Sequence, residues 1–386
     1  MCTPRHSFDR RCPVVVAAVF FIVVCPARLS WAMAGNDWPM FRGNTKLTGV
    51  ATSPLPDKLG VLWKFELQEA ITSTAAIVDG VVYVGADDGY LYALDLATGK
   101  KRWRYKVGED ELIRSSPTVY DGKVFVGDSL GVMHAVDRAT GRKKWTFTTD
   151  GEIISSVNVY KDRAIFGSYD GSVYALKVAD GSLVWKFETQ GRVHSTPGLT
   201  GHEVLVAGCD ENLHVLDVET GKSQREVPLG SVAGASAAIR DSRAYVGTYG
   251  HKVLAIDWQR GSIAWTFADP DRDFPIMSSA VVTKDAVIVG GRDKRLRSLD
   301  PRDGKLNWTF VTKGRIEGSA VLVGNRVLFG SGDGNLYALD HRTGRELWRF
   351  ESGAPFSASP AVGGGRLVIG NEDGVLYCFG RADSKN

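Results

Sequence analysis

Arg114, His194 and Glu317 share one repeated place in the chain, each 31 residues upstream of a slot that usually holds tryptophan. The same offset picks out Thr72, Ile154, Gly234 and Met277, and Ser357 holds the place in a last, truncated unit. A cation, an imidazole and a carboxylate brought to one ring could bind a small polar ligand or form a pH-sensitive contact. A second cluster, Asp271, Arg272 and Asp273 in "DPDRDFP" (269–275), could contact a partner or hold a metal. The Asp-Gly pairs at 88, 170, 333 and 373 have calcium-loop composition, but no Glu follows at the required spacing. Tight hairpin turns account for them. "GEDEL" (108–112) reads as a charged loop. "NWT" (307–309) matches a glycosylation acceptor but overlaps a Trp slot.

These residues are placed by a repeat. "GADDGYLYALDLATGKKRW" (85–103), "GSYDGSVYALKVADGSLVW" (167–185) and "GSGDGNLYALDHRTGRELW" (330–348) are copies of one unit. The slots are Trp63, Trp103, Trp145, Trp185, Arg225, Trp265, Trp308 and Trp348, spaced by 40 to 43 residues. A period near 40 residues with several short strands per unit is the signature of a propeller blade. In the first unit "STAAIV", "VVYVG", "YLYALD" and "KRWRY" alternate with Asp-Gly and Thr-Gly turns, so each unit is predicted to be a four-stranded antiparallel blade. No window has a helical apolar period.

The expected fold is therefore all-β, one eight-bladed propeller over residues 60–380 with a tail at 381–386. The last unit lacks its Trp strand, and the orphan "VLWKFEL" near Trp63 is expected to supply it, joining the two ends of the chain in one blade. Length changes fall in the connections entering units 2 and 6, on the rim that also carries the second turn of each blade. That rim is the expected functional face. Arg225 breaks the Trp pattern and Pro228 follows it, so blade 4 is expected to dock least well.

Residues 1–34 read as a signal peptide: Arg10 and Arg11, an apolar run from Val14 to Val24, and Ala32-Met33-Ala34 as the cleavage site. Cys25 offers an alternative as a lipidated residue. Residues 35–386 then contain 43 basic and 43 acidic residues, which leaves no electrostatic footprint for nucleic acid. No later stretch is apolar enough to span a bilayer. Cys209 and Cys378 do not make a disulfide framework or a metal site.

The Trp strand with its preceding "ALDLATGK" resembles the docking motif of the pyrroloquinoline-quinone (PQQ) propeller repeat family, over roughly residues 38–380. "DWPMFRGN" (37–44), within the lead segment 35–59, looks like the start of exported members. The resemblance implies that the seven Trp side chains pack between neighbouring blades. One branch of that family comprises PQQ-dependent dehydrogenases with a Ca²⁺ ion, longer loops and often an adjacent cysteine pair. This chain has short loops and no Cys-Cys pair. A quinone with three carboxylates would call on Arg114, His194, Arg192, Arg272 and Arg315. The other branch, the BamB-like exported propellers, helps assemble outer-membrane β-barrels without chemistry of its own. The sequence fits this branch better. It implies a monomeric, non-enzymatic scaffold for a protein partner in the cell envelope, periplasmic or secreted, with no cofactor or metal. A PQQ dehydrogenase and a binder of carbohydrate or another small molecule are the alternatives.

Overall fold

The computed structural model describes residues 35–382; the signal-peptide reading, Cys25 and the last residues of the tail lie outside them. Blade 1 shows how each unit folds. Its strands Ala76–Val78, Val81–Gly85, Tyr90–Asp95 and Lys101–Lys106 pair in sequence order as an antiparallel sheet. Blades 2 to 7 repeat this at residues 118–148, 158–188, 198–228, 238–268, 281–311 and 321–351. The second and third strands are almost wholly buried, because both faces of each blade pack against neighbours. Among the described residues there is no helix.

Blade 8 is built from both ends of the chain. Leu59–Glu66 pairs antiparallel with Val375–Arg381, so the orphan strand completes the last blade. The inner strands of blades 8 and 1 then touch, and the ring is closed.

The recurring Trp has a physical cause. Six of the seven indoles pack against the Thr-Gly-type turn of the next blade and donate Nε1–H to a carbonyl there; Trp348, whose next blade is the seam, packs on Phe350 and Phe379 instead. Trp63 bonds Leu96, Trp145 bonds Val178, Trp185 bonds Val218 and Trp308 bonds His341, at 2.9–3.1 Å. The turn glycine lies beneath the ring. At Gly221 φ is +69°, and a Cβ would sit 2.6 Å from the Trp185 ring, so only glycine satisfies both demands. One residue type in one blade thus fixes one in the next, which is why both repeat.

Arg225 is the exposed member of the slots, and its docking bond, at 3.2 Å, is longer than those the indoles make, in keeping with the expectation for blade 4. Its guanidinium donates to the carbonyl of Trp258, the acceptor that an indole would use, and its stem lies over Gly261. Trp258 stands where Val178 and Val218 stand in other turns, and its ring is buried in the core shared by blades 4 and 5. The aromatic bulk has moved from the outer strand of one blade to the turn of the next. Pro228 ends an outer, one-sided strand, where a missing N–H is tolerated.

The innermost strands are shorter than the sequence suggested: three residues in blade 1, with Ser73–Ala75 outside the ladder. A belt of hydroxyls explains this. The backbone N–H of Thr74 donates to Ser116 Oγ, and Ser116, Ser156, Thr196, Ser236, Ser279 and Ser319 each donate to the hydroxyl in the next blade, at 2.8–3.1 Å. These buried N–H groups leave their own blade's ladder to stitch the blades together.

Residues 36–53 run across one end of the central channel and bond the inner edge of every blade. Carbonyls of Trp38, Pro39, Thr45, Lys46, Thr48 and Gly49 accept from the N–H groups of Ile77, Val119, Leu199, Ile239, Val282 and Leu322, at 2.8–3.0 Å. Asn158 Nδ2 reaches the Thr45 carbonyl for blade 3, and Gly364 N–H reaches the Asn36 carbonyl for blade 8. Val50–Ala51 adds a short parallel strand to blade 7. Trp38 and Leu47 are fully buried.

Candidate functional site

The channel is therefore a well. Its floor is the 36–53 segment, which presents Phe41, and its wall is the Ser/Thr belt. Above the belt lies the ring read from the sequence: Thr72, Arg114, Ile154, His194, Gly234, Met277, Glu317 and Ser357 all line the well. The well opens on the rim formed by the second turns and the blade-to-blade connections, the face expected from the length changes. Its cavity is about 160 Å³, room for a few waters, and a shallow vestibule of about 390 Å³ lies above it.

The charges at the mouth are paired with one another. Arg114 lies 3.7 Å from Asp87 and 3.9 Å from Glu152. Glu317 accepts from Arg292 Nε at 2.9 Å and lies 3.3 Å from Arg315 Nε. Tyr169 Oη and His194 Nδ1 are 2.7 Å apart, and the Arg192 guanidinium lies 5.2 Å from the Tyr169 ring centre. Desolvation sets the direction of titration here. It raises the Asp87 and Glu152 carboxyls, lowers His194, and pushes Tyr169 up to about 12. Each shift favours the neutral form.

Arg114, His194 and Glu317 are thus brought to one mouth, while Asp271, Arg272 and Asp273 are not. The loop 269–275 turns outward at the blade 5–6 edge. There Asp273 contacts His251 from the neighbouring turn and Phe274 is 48% exposed, while Tyr249, on the side of the well mouth, is 42% exposed. Asp269, at the base of the loop, faces inward. Burial opposes its charge, but bonds from Arg297 and Asp271 N–H and the charges of Arg297 and Arg295 hold its carboxyl below the ordinary value. Phe41, Asp87, Glu152, Tyr169 and Arg292 were not read from the sequence. The belt was findable, since a Ser or Thr stands 29 residues before every slot from Trp103 to Trp348.

A PQQ tricarboxylate does not fit this mouth. Arg114, Arg292 and Arg315 are already matched by Asp87, Glu152 and Glu317, and Glu372 adds another carboxyl to the vestibule. The site has no surplus positive charge for three more carboxylates, and its desolvation disfavours them. Arg272 stands outside the well. No cluster of three or more His, Cys, Asp or Glu residues at metal-binding separation occurs among the described residues.

Docked Trp blades around a floored well define a PQQ-like repeat propeller. The chain matches the family described as outer membrane protein assembly factor BamB over residues 57–188, 169–334 and 292–386, and it belongs to that family. BamB from Moraxella catarrhalis superimposes with a TM-score of 0.71 at 18% identity, covering 84% of this chain and 100% of that one. Quinohemoprotein alcohol dehydrogenase from Comamonas testosteroni gives 0.77 at 17% identity, over 92% of this chain and 82% of the other. These two likenesses describe a shared fold. The 1-butanol dehydrogenase (cytochrome c) of Thauera butanivorans is 35% identical over 81 residues, 19% of this chain and 11% of that enzyme's length.

Proposed function

We propose that this protein is an exported, non-catalytic scaffold that holds a protein partner in the cell envelope during assembly of outer-membrane proteins. The observation that carries this reading is the state of the well. Seven of its hydroxyls accept the N–H groups of the inter-blade belt, Arg114, Arg292 and Arg315 are matched by carboxylates, and Ser357 Oγ is buried without a partner among the described residues. A catalytic centre needs polar groups left free to meet a substrate. What the open rim does offer is exposed aromatic surface, Tyr249 on the side of the well mouth and Phe274 on the outward loop with the charged Asp271-Arg272-Asp273 turn. Aromatic anchors with a charged border suit a protein interface. The family description and the Moraxella likeness agree with this assignment.

The test places a photo-crosslinking residue at Tyr249, at Phe274 and, as control, at Thr98 on the opposite rim, in cells of the native host. Crosslinks to one envelope protein from the first two positions and not from Thr98 are expected. Equal labelling at all three would overturn the rim assignment. PQQ- and Ca²⁺-dependent alcohol oxidation by the purified protein would overturn the scaffold reading itself.

A further inference from the structure

The eight inner edges are open strand edges, and an open edge is a template for another chain. Here residues 36–53 occupy all eight at once, using their own carbonyls. Two side chains anchor the segment. The Trp38 backbone exchanges hydrogen bonds in both directions with Ile77, at 2.8 Å each, and its ring is covered by Gly43. Arg42 is buried; it donates from Nη1 to the Ala320 carbonyl and at 3.0 Å from Nη2 to the Ala280 carbonyl. Among the described residues no carboxylate pairs with it. Gly49 is obligatory beside it, since a Cβ there would overlap the guanidinium. These residues explain the "DWPMFRGN" motif as a docking sequence.

The ring's own ladders do not need this segment. Each blade has its four strands without it, and closure comes from Leu59–Glu66, further along the chain. The segment makes its own turns instead, Gly43 N–H to Met40 carbonyl and Leu47 N–H to Asn44 carbonyl. The stretch joining it to the ring is exposed at Asp57 and Lys58.

We infer that the inner edges of the eight blades form a peptide-binding site, and that residues 36–53 are its tethered ligand, recognised through an indole and a guanidinium four residues apart. The ligand class is a short peptide with extended stretches that offers backbone carbonyls to a ring of N–H donors. This inference is independent of what the open rim binds.

The experiment uses the full chain with a protease site introduced between Asp57 and Lys58, cut only after folding. The cut protein should keep its far-ultraviolet dichroism and hold the released fragment through gel filtration. A fluorescently labelled synthetic peptide of residues 35–57 should then exchange into the ring, followed by anisotropy. The same peptide with Arg42→Gln should bind at least about 100-fold more weakly, having lost two charge-assisted bonds. Loss of β-structure on cutting, or exchange only at the temperature of global unfolding, would overturn the inference. So would equal binding of the Arg42→Gln peptide. Prompt loss of the fragment in gel filtration, with no rebinding of the labelled peptide, would overturn it as well.

Discussion

The exchange of bulk between positions 225 and 258 can be tested by a double-mutant cycle. Trp258 is 5% exposed, and its indole N–H has no hydrogen-bond partner, so its contribution is packing. Trp258→Val, which copies the turns at Val178 and Val218, should cost about 3–5 kcal/mol through lost burial and the cavity left behind. Arg225→Trp alone sets an indole over Gly261 in place of the Arg225 stem, next to the turn that carries Trp258, and should cost about 1–3 kcal/mol by overpacking. Together the two changes recreate the arrangement of Trp185 on Gly221, with Val at the turn and the carbonyl of residue 258 as acceptor. The double variant should therefore lie within about 1.5 kcal/mol of the parent, a coupling of at least about 2.5 kcal/mol. Melting followed by circular dichroism reads this at roughly 2 °C per kcal/mol, large enough to separate the four proteins. Strict additivity, with the double variant the least stable of the four, would refute the reasoning: Trp258 would then not occupy the space an indole at 225 needs.

Other outcomes follow from the same geometry. Gly221→Ala must strain a positive φ and push against the Trp185 ring, so it should cost about 2–3 kcal/mol, against about 1 kcal/mol for Gly80→Ala, whose Cβ meets open space; paired melting curves decide. Thr196→Val leaves the buried Ser156 N–H without its acceptor and should lower stability by about 1–3 kcal/mol, while Thr196→Ser should restore it. His194 sits below its ordinary value of 6.5 because it is desolvated, so the unfolded chain takes up a proton first as pH falls. Stability from this group is complete above pH 6.5 and is lost below it, by up to about 1.4 kcal/mol per pH unit. Asp87 and Glu152, raised by burial, act in the opposite sense. The check is the difference between the parent and His194→Gln from pH 7.5 to 5.5, in which those carboxyls cancel; a variant with the parent's slope would contradict the assignment.

Much of the ring was legible because its rules repeat. Trp and turn Gly recur together since each blade supplies one half of a contact, and the fixed offset brought Arg114, His194 and Glu317 to the well. What does not repeat stayed hidden. The floor segment acts largely through backbone carbonyls, which carry no residue identity, so "DWPMFRGN" could be recognised but not explained. The charge pairing at the mouth depends on Asp87, Glu152 and Arg292; Asp87 and Arg292, like Tyr169, stand 16 residues before a Trp slot, but the residue type changes from blade to blade, so the shared place does not announce a charge. Asp271–Asp273 had the composition of a ligand site, but the longer connection carries them outward. The compensation at Arg225 needed the turn of the following blade, 33 residues on.

The seam in blade 8 also sets how the molecule answers to force. Leu59, where the first blade strand begins, faces Arg381, where the last one ends, and Ala382 N–H lies 3.3 Å from the Lys58 carbonyl. A pull on the two chain ends would load this pair at one end only, opening its hydrogen bonds one after another like a zipper. Elsewhere in the ring the four strands of a blade are joined by covalent turns. The fold closed at its seam thus has a weak axis, and tension transmitted through the N-terminal side would have to strip the floor segment from eight blades before it reached that zipper. A single-molecule pull from residue 35 should show two events, the floor and then the seam, at forces below that needed to unravel a blade.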